Sequence, residues 1–290
     1  MENVPQNIIK KITKMQKGEI TEYHIYQKIS KRIKGEDNQK ILMQIAEDEH
    51  RHYQIWANLL HQEVKPNRLK ILFYTIVNFI LGYTFTLKIM ESGEEDAQDA
   101  YDEISKYYPI AKEILGDEDK HEVELLNLLN EERLNYVGSM VLGLNDALVE
   151  LSGALAGLTF ALQNTAIISL TGLITGIAAS LSMAASEYLS AKADNNPNAL
   201  KSSLYTGVAY VITVALLILP YLLISNPFVS LAIMLATVVL IIFLFNYYIS
   251  VAKGYNFKKR FFQMAIISLS VAGLSFLIGI LVNQLIPTNI

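Results

Sequence analysis

The sequence predicts an all-α protein in two parts, a four-helix bundle over residues 1–135 and a five-helix transmembrane domain over residues 136–290. The first part is rich in charge, has no alternating strand-type runs and contains few glycines and prolines. The second part contains five apolar stretches, each long enough to cross about 30 Å of hydrocarbon. Together these observations favour a polar helical domain fused to a membrane domain.

Charge divides the chain at the same place as hydropathy. Residues 1–135 hold 18 of the 24 Lys+Arg and 24 of the 28 Asp+Glu, a net charge of 18 − 24 = −6, whereas residues 136–290 have 6 − 4 = +2. The acidic balance argues against a nucleic-acid partner and for cations. The absence of cysteine excludes disulfides and thiolate metal ligands. The opening MENVPQNIIKKITK lacks the apolar core of a signal peptide.

Helices of the first part are expected at 6–34, 37–64, 68–105 and 108–135. Gly35 with Asp37, Pro66 and Pro109 mark the breaks between them. The third helix begins with an apolar segment, ILFYTIVNFILGYTF, within residues 71–87. This segment is either a core helix with a crossover or a helix on a membrane surface, because it is short and polar-flanked for a span.

An internal repeat carries the candidate metal ligands of the first part. In each half, a Glu lies seven residues before a Tyr and is followed by a Glu-x-x-His pair on the next helix; the residues are Glu19, Tyr26, Glu49 and His52, then Glu94, Tyr101, Glu118 and His121. Residues three apart share a helix face, so each pair offers a carboxylate and an imidazole to one metal site. One Glu from each of two helices, with Glu-x-x-His from each of the other two, is the ligand set of di-iron carboxylate bundles.

Several details of this site stay open at the level of sequence. Glu91 lies one turn before Glu94 and is an additional or substitute ligand. The two tyrosines either pack in the core or donate hydrogen bonds to ligand carboxylates. The alternative for the whole pattern is coincidental surface charge, which two copies of the repeat disfavour. His24, His50 and His61 have no counterpart in the repeat and are read as surface residues.

Over residues 6–135 this pattern resembles the rubrerythrin branch of the ferritin-like superfamily. The resemblance implies a bound pair of iron ions, or Mn²⁺, and ferroxidase or peroxide-reducing chemistry.

The membrane spans are expected near 137–162, 166–190, 203–225, 228–250 and 262–286. The loops after the second and fourth spans are basic, and the other two loops and the C-terminal tail carry no Lys or Arg. By the positive-inside rule, the N-terminal domain is cytoplasmic, the C-terminus is outside, and the protein is a multi-pass protein of the cell membrane.

Acidic residues inside the spans are the candidate transport path. Asp146 and Glu150 are four residues apart in the first span, and a carboxylate at a helix centre costs roughly 2.5–3.5 kcal/mol on insertion scales. In the second span Met183 and Glu187 share a face; the Met183 thioether is a soft ligand that suits Fe(II) better than Mg²⁺ or Ca²⁺. The plain alternatives are packing for Met183 and snorkelling for Glu187. Gly153-x-x-x-Gly157 is a close-packing pattern that allows helix approach or dimerisation.

GLNDALVELSGALAGL followed by SLSMAASEYLS resembles the vacuolar iron transporter family over residues 136–290. The resemblance implies a five-span homodimer that exchanges protons for Fe²⁺, and in some members Mn²⁺. It places Asp146 and Met183 in the path and Glu187 near its cytoplasmic mouth; Glu150 falls at a more variable position. Eukaryotic members carry a long acidic insert after the second span, whereas the loop here is about eleven residues with one Asp, Asp194.

The two-part layout resembles the prokaryotic membrane-bound ferritins. The sequence-based prediction is therefore proton-coupled export of Fe²⁺, with Mn²⁺ as a second cargo, and metal delivery by the N-terminal domain. The alternatives are a membrane-anchored di-iron oxidase or peroxidase and a protein that stores or senses iron.

Overall fold

A computed structural model describes residues 4–33, 35–91, 95–127 and 132–285 of the chain. These residues form helices joined by short connections, and no strand occurs among them, so the all-α prediction is confirmed. The chain divides into two compact units, an N-terminal unit, Met1–Glu131, and a C-terminal unit, Glu132–Ile290. This division falls four residues before the predicted one at 135/136.

The N-terminal unit contains six helices within the part of the chain that the structure describes. They are α1 (Gln6–Ser30), α2 (Glu36–Leu60), α3 (Arg68–Leu81), α4 (Tyr83–Glu91), α5 (Glu95–Ser105) and α6 (Ile110–Asn127). Helix α1 packs against α2, α3 and α5, and α6 packs against α2 and α5. The ferritin-like four-helix bundle expected for this unit stays a prediction.

Three of the predicted helix bounds were wrong for local reasons. The expected third helix breaks at Gly82, whose φ of 92° is disfavoured for any residue with a Cβ. The second helix ends at Leu60, because His61 adopts the left-handed conformation and closes the helix. The expected fourth helix does not continue to residue 135, since Glu132–Tyr136 is a 3₁₀ turn at the start of the C-terminal unit.

The N-terminal unit is held by apolar residues at helical spacing. One cluster contains Ile8, Ile12, Trp56 and Ile104, each with at most 1% of its surface exposed. Burying an aliphatic side chain of this size stabilises a fold by about 1.5–3 kcal/mol. Trp56 of this cluster is the single tryptophan of the chain.

Within its described residues, the C-terminal unit contains five helices that are long and apolar enough to cross a membrane, as predicted. They are Leu134–Leu162, Thr165–Ala193, Ala199–Leu223, Pro227–Lys253 and Phe257–Val282. The protein is therefore a multi-pass membrane protein. The first span consists of α7 (Val137–Asp146), a π-helical turn (Ala147–Leu151) and α8 (Ser152–Leu162), and the others are α9 (Thr165–Ala193), α10 (Ala199–Leu223), α11 (Pro227–Lys253) and α12 (Phe257–Leu285).

Asparagine side chains cap the N-termini of several of these spans. Asn164 accepts hydrogen bonds from the first backbone N–H groups of α9, and Asn226 does the same for α11, where Pro227 occupies the first turn. Asn256 caps α12 by accepting from the Lys259 N–H at 3.0 Å. These caps satisfy backbone donors that would otherwise lack partners at the helix ends.

Glycines let the first span approach its neighbours closely. A Cβ at Gly143 would collide with the backbone carbonyl of Thr206 on α10. Gly157 lies against Ser275 and Gly279 of α12, where a Cβ would again meet backbone oxygen. The Gly-x-x-x-Gly pattern therefore packs within the chain, against α12.

Candidate metal centres

Four predicted ligands of the N-terminal unit converge in its interior. Glu19, Glu49, His52 and Glu118 each present one donor atom, and these atoms all lie within 4.8 Å of one another. Donors bound at about 2.1 Å on opposite sides of one ion are about 4.2 Å apart. The side chains come from three helices, α1, α2 and α6, so tertiary packing brings the sequence repeat together.

His121 joins the same cluster. Its Nδ1 lies 3.3 Å from Glu49 Oε1 and 3.5 Å from Glu118 Oε2. The corresponding Nδ1 of His52 lies 3.3 Å from Glu118 Oε1 and 3.7 Å from Glu19 Oε2. Each imidazole thus points its Nδ1 at the carboxylates between the two histidines.

The donor atoms of this cluster fit a metal ion. Glu49 Oε2, His52 Nδ1 and His121 Nδ1 are buried and have no hydrogen-bond partner. A buried polar atom without a partner costs about 1–3 kcal/mol, and a cation would satisfy all three atoms at once. Carboxylate and imidazole donors together suit iron, manganese or zinc.

A second pair of carboxylates, which the sequence reading missed, lies behind the histidines. Asp48 Oδ2 is 3.4 Å from His121 Nε2, and Asp117 Oδ2 is 3.5 Å from His52 Nε2. Each aspartate directly precedes the Glu of one repeat but supports the histidine of the other. Arg51 connects both, at 2.7 Å from Asp48 and 2.9 Å from Asp117. Such outer carboxylates fix the ring orientation of metal-binding histidines.

Glu19 is oriented by two donors from the protein core. Its Oε1 accepts hydrogen bonds from Trp56 Nε1–H at 3.2 Å and from the Tyr101 hydroxyl at 3.1 Å. These bonds leave Oε2 facing His52. For Tyr101 the structure therefore selects hydrogen bonding to a ligand carboxylate. Tyr26 belongs to an apolar core cluster.

Without a metal, the surroundings raise the pKa of Glu49 and of both histidines of the cluster. Burial raises the pKa of Glu49 well above its ordinary value, and the charges of Glu118 and Glu19 raise it further. Burial alone would lower the pKa of His52, but Glu118 and Glu19 outweigh it and raise that pKa to about 10. The pKa of His121 is raised by Glu118 and Asp48 in the same way, against the effect of burial. A divalent cation must displace these protons, so binding releases them.

Two other glutamates of this unit have raised pKa values. Glu91 is the last residue of α4, its Oε1 is buried without a hydrogen-bond partner, and burial with the charge of Glu122 raises its pKa to about 7. Glu22 is largely buried and pairs with Lys70 at 3.3 Å, and burial raises its pKa to about 7. Glu94 lies outside the described residues.

In the C-terminal unit, the carboxylates of the first span lie together. Asp146 ends α7 and Glu150 lies in the π-helical turn that follows, within hydrogen-bonding reach of Asp146. Turns of this kind occur frequently at functional sites. Tyr210 of α10 is fully buried, and its hydroxyl, which has no partner in strict hydrogen-bond geometry, faces Asp146 and Glu150. The sequence reading missed Tyr210.

The second span reaches the first through Glu187. Ser139 of α7 donates a hydrogen bond to Glu187 Oε1 at 2.7 Å. Ser139 lies seven residues, about two helical turns, before Asp146. Met183 is half-buried and packs against the apolar core of this unit.

Comparison with known proteins adds one result. No curated protein and no solved structure matches the chain. Residues 137–198, which contain Asp146, Glu150, Met183 and Glu187, match the family model described as the VIT family. The chain therefore carries a VIT family domain over residues 137–198, and this match suggests a membrane transporter of metal ions such as iron or manganese.

Proposed function

We propose that this protein exports Fe²⁺, and Mn²⁺ as a second cargo, from the cytoplasm in exchange for protons, and that its N-terminal unit binds the metal and delivers it. The observation that carries the proposal is the VIT family match over the segment that contains all four acidic and thioether path residues. Acidic side chains inside membrane spans mark ion pathways, because their burial in lipid is costly.

Asp146 and Glu150 would form the centre of the path. Two neighbouring carboxylates can replace part of the hydration shell of a divalent cation and can accept protons after the cation leaves. The closeness of the two groups supports this exchange, since one cation or one shared proton relieves their mutual repulsion. Tyr210 supplies a hydroxyl that can donate to the carboxylates when no cation is present.

Glu187 and Met183 would line the path on the second span. Ser139 holds the Glu187 carboxylate against the first span, so Glu187 is a fixed rather than a freely snorkelling group. The Met183 thioether favours a softer ion such as Fe²⁺ over Mg²⁺.

The position of Glu150 supports a homodimer. Glu150 is exposed on the surface of the single chain although it belongs to a membrane span. A second copy that covers this face would shield the carboxylate from lipid and could line the same path. The basic loops, with Lys192 and Lys201 after the second span and four basic residues after the fourth, support a cytoplasmic N-terminal unit and an outer C-terminus.

The N-terminal cluster would hold a metal pair of the di-iron or manganese type through Glu19, Glu49, His52, Glu118 and His121. A bound iron pair would supply redox chemistry toward oxygen or peroxide. The protein positions the ligands through Trp56 and Tyr101 and excludes water from the buried donors. Within this proposal the cluster collects the ion and releases it when protons return to the histidines.

The second candidate is a membrane-anchored di-iron oxidase or peroxidase. The buried histidines, each with an aspartate behind its ring, favour this candidate, because the same arrangement serves catalysis as well as metal binding. Oxygen consumption by the full chain after Fe²⁺ addition tests this activity. Consumption that survives in a variant without transport would assign oxidase activity to the N-terminal unit.

The decisive test of transport is Fe²⁺ and Mn²⁺ flux in proteoliposomes under an imposed pH gradient. Asp146→Asn should reduce flux to the background of empty vesicles, while metal binding in the N-terminal unit persists. Asp194→Asn is the matched control, because Asp194 is an exposed acid of the same unit outside the spans. Undiminished flux through Asp146→Asn would refute the path, and flux indifferent to the pH gradient would refute proton coupling.

A further inference from the structure

Helix α3 of the N-terminal unit displays an apolar outer face. Leu69, Leu72, Phe73, Ile76 and Phe79 are all exposed, from 48% at Ile76 to 79% at Leu69. At 100° per residue these five positions lie within an arc of about 120°, and they extend over about 15 Å of helix. We call these five residues the α3 outer face.

This exposure is unusual within its unit. Outside α3, the large apolar side chains of the described part of the N-terminal unit with comparable exposure are Tyr107 and Val123, which stand singly. Contiguous exposed apolar patches on soluble domains mark interaction sites. The inner side of α3, at Ile71 and Tyr74, is already used by the core of the unit. The outer face is therefore additional apolar surface that the fold of this unit does not require.

The segment that carries the α3 outer face contains basic residues and no acidic residue. No Asp or Glu occurs between Glu63 and Glu91, a stretch of 27 residues, in the part of the chain that holds 24 of the 28 acidic residues. Arg68 flanks the apolar arc on one side, and the Arg32 guanidinium lies 5.3 Å from the centre of the Phe79 ring. An apolar stripe bordered by cations is the pattern of helices that lie in the headgroup region of a membrane.

We propose that the α3 outer face inserts into the surface of an anionic lipid bilayer and that its flanking cations contact lipid phosphates. The C-terminal unit of the same chain spans a membrane, so a bilayer is always at high effective concentration for this helix. A bilayer explains both the apolar arc and the absence of acidic residues, whereas a soluble protein partner would need only the arc. The proposal is independent of what the protein transports.

The chain contains no cysteine, so single cysteines report on this face without background. Ile76→Cys, labelled with an environment-sensitive fluorophore, is placed in full-length protein in nanodiscs that contain phosphatidylglycerol and spin-labelled lipid. We expect about a twofold loss of emission from quenching by the lipid. The matched control is Val123→Cys, an exposed apolar position of the same unit, which should keep its emission.

Two further arms complete the test. Phe73→Glu with Phe79→Glu places carboxylates on the α3 outer face and should abolish the quenching at position 76, while the fluorescence of Trp56 confirms that the unit is folded. Discs of phosphatidylcholine alone should reduce the quenching, and equal quenching there would overturn the role of anionic headgroups. Absence of lipid quenching in both disc types would overturn the proposal, as would self-quenching between labels in two copies, which would assign the face to a second chain.

Discussion

Replacing Glu49 by Gln separates a metal-binding role from a structural one. Glu49 is 2% exposed, and its Oε2 has no hydrogen-bond partner. The substitution keeps the shape of the side chain and removes both its charge and the need to take up a proton on folding. If the cluster is built for a cation, Glu49→Gln should stabilise the metal-free protein and weaken metal binding.

The magnitude follows from the geometry of the cluster. Two like charges 4.8 Å apart repel by about 3.5 kcal/mol at an effective dielectric constant of 20. Glu49 faces two such neighbours, Glu19 and Glu118, and the attraction of His121 at 3.3 Å offsets much of this repulsion. Desolvation of the unpartnered oxygen adds about 1–3 kcal/mol against folding. We therefore expect the metal-free variant to be more stable by about 1–3 kcal/mol, which is about 3–10 °C in melting temperature for a unit of this size.

Bound metal should reverse the order of stability of the wild type and Glu49→Gln. A ligand at 100 times its Kd stabilises the folded state by about 2.7 kcal/mol. The wild type gains this stabilisation with Mn²⁺, which avoids redox chemistry, whereas Glu49→Gln lacks a ligand and should gain little. Glu49→Gln should therefore melt at the higher temperature in chelator, and the wild type should melt at the higher temperature in saturating Mn²⁺.

The assay uses Trp56, which is fully buried beside Glu19 and is the single tryptophan of the chain. Its fluorescence reports unfolding of the N-terminal unit within the full-length protein in detergent. Glu47→Gln is the matched control, because Glu47 is exposed two residues away on the same helix and should change neither curve. A metal-free Glu49→Gln that melts below the wild type would show that the carboxylate serves internal ion pairs, and the metal-site reasoning would fail.

Two further outcomes are expected. Asp117→Asn removes the carboxylate behind His52 Nε2 and should weaken Mn²⁺ binding about 10–100-fold, measured by Trp56 fluorescence titration; unchanged affinity would contradict the supporting role. Gly143→Ala drives a Cβ into the Thr206 carbonyl and should destabilise the C-terminal unit by about 1–3 kcal/mol, measured by thermal aggregation in detergent. Gly138→Ala on the same helix has open space and should be neutral, so equal melting of the two variants would contradict the packing.

Much of the N-terminal cluster could be predicted, because the spacing of its ligands within single helices is visible in the sequence. A Glu and a His three residues apart must share a helix face, and two copies imply two faces that need a common partner. The pairing of Asp48 with His121 and of Asp117 with His52 could not be predicted, since it depends on how α2 and α6 align. The only signal in the sequence is that an Asp precedes the Glu in both copies.

The predicted helix ends were wrong where a single residue ends a helix that the hydrophobic periodicity would continue. Hydropathy runs unbroken through Gly82, yet its backbone conformation ends α3 and begins α4. The position of Glu22 depends on a contact with a residue that is remote in the sequence. Its pairing with Lys70, from a helix 48 residues further along, holds the carboxylate inside.

In the membrane unit, hydropathy predicts the spans but not what their small residues touch. Gly153 and Gly157 lie against α12 of the same chain, at Ser275 and Gly279, so this pattern is occupied and offers no surface to a second copy. The proposed homodimer would then use another face. Glu150, exposed in the π-helical turn, identifies the face for which burial against a partner would relieve the largest cost. The proposals of a dimer and of a transport path therefore both involve Glu150: cross-linking through a cysteine beside it would test the dimer, and metal flux tests the path.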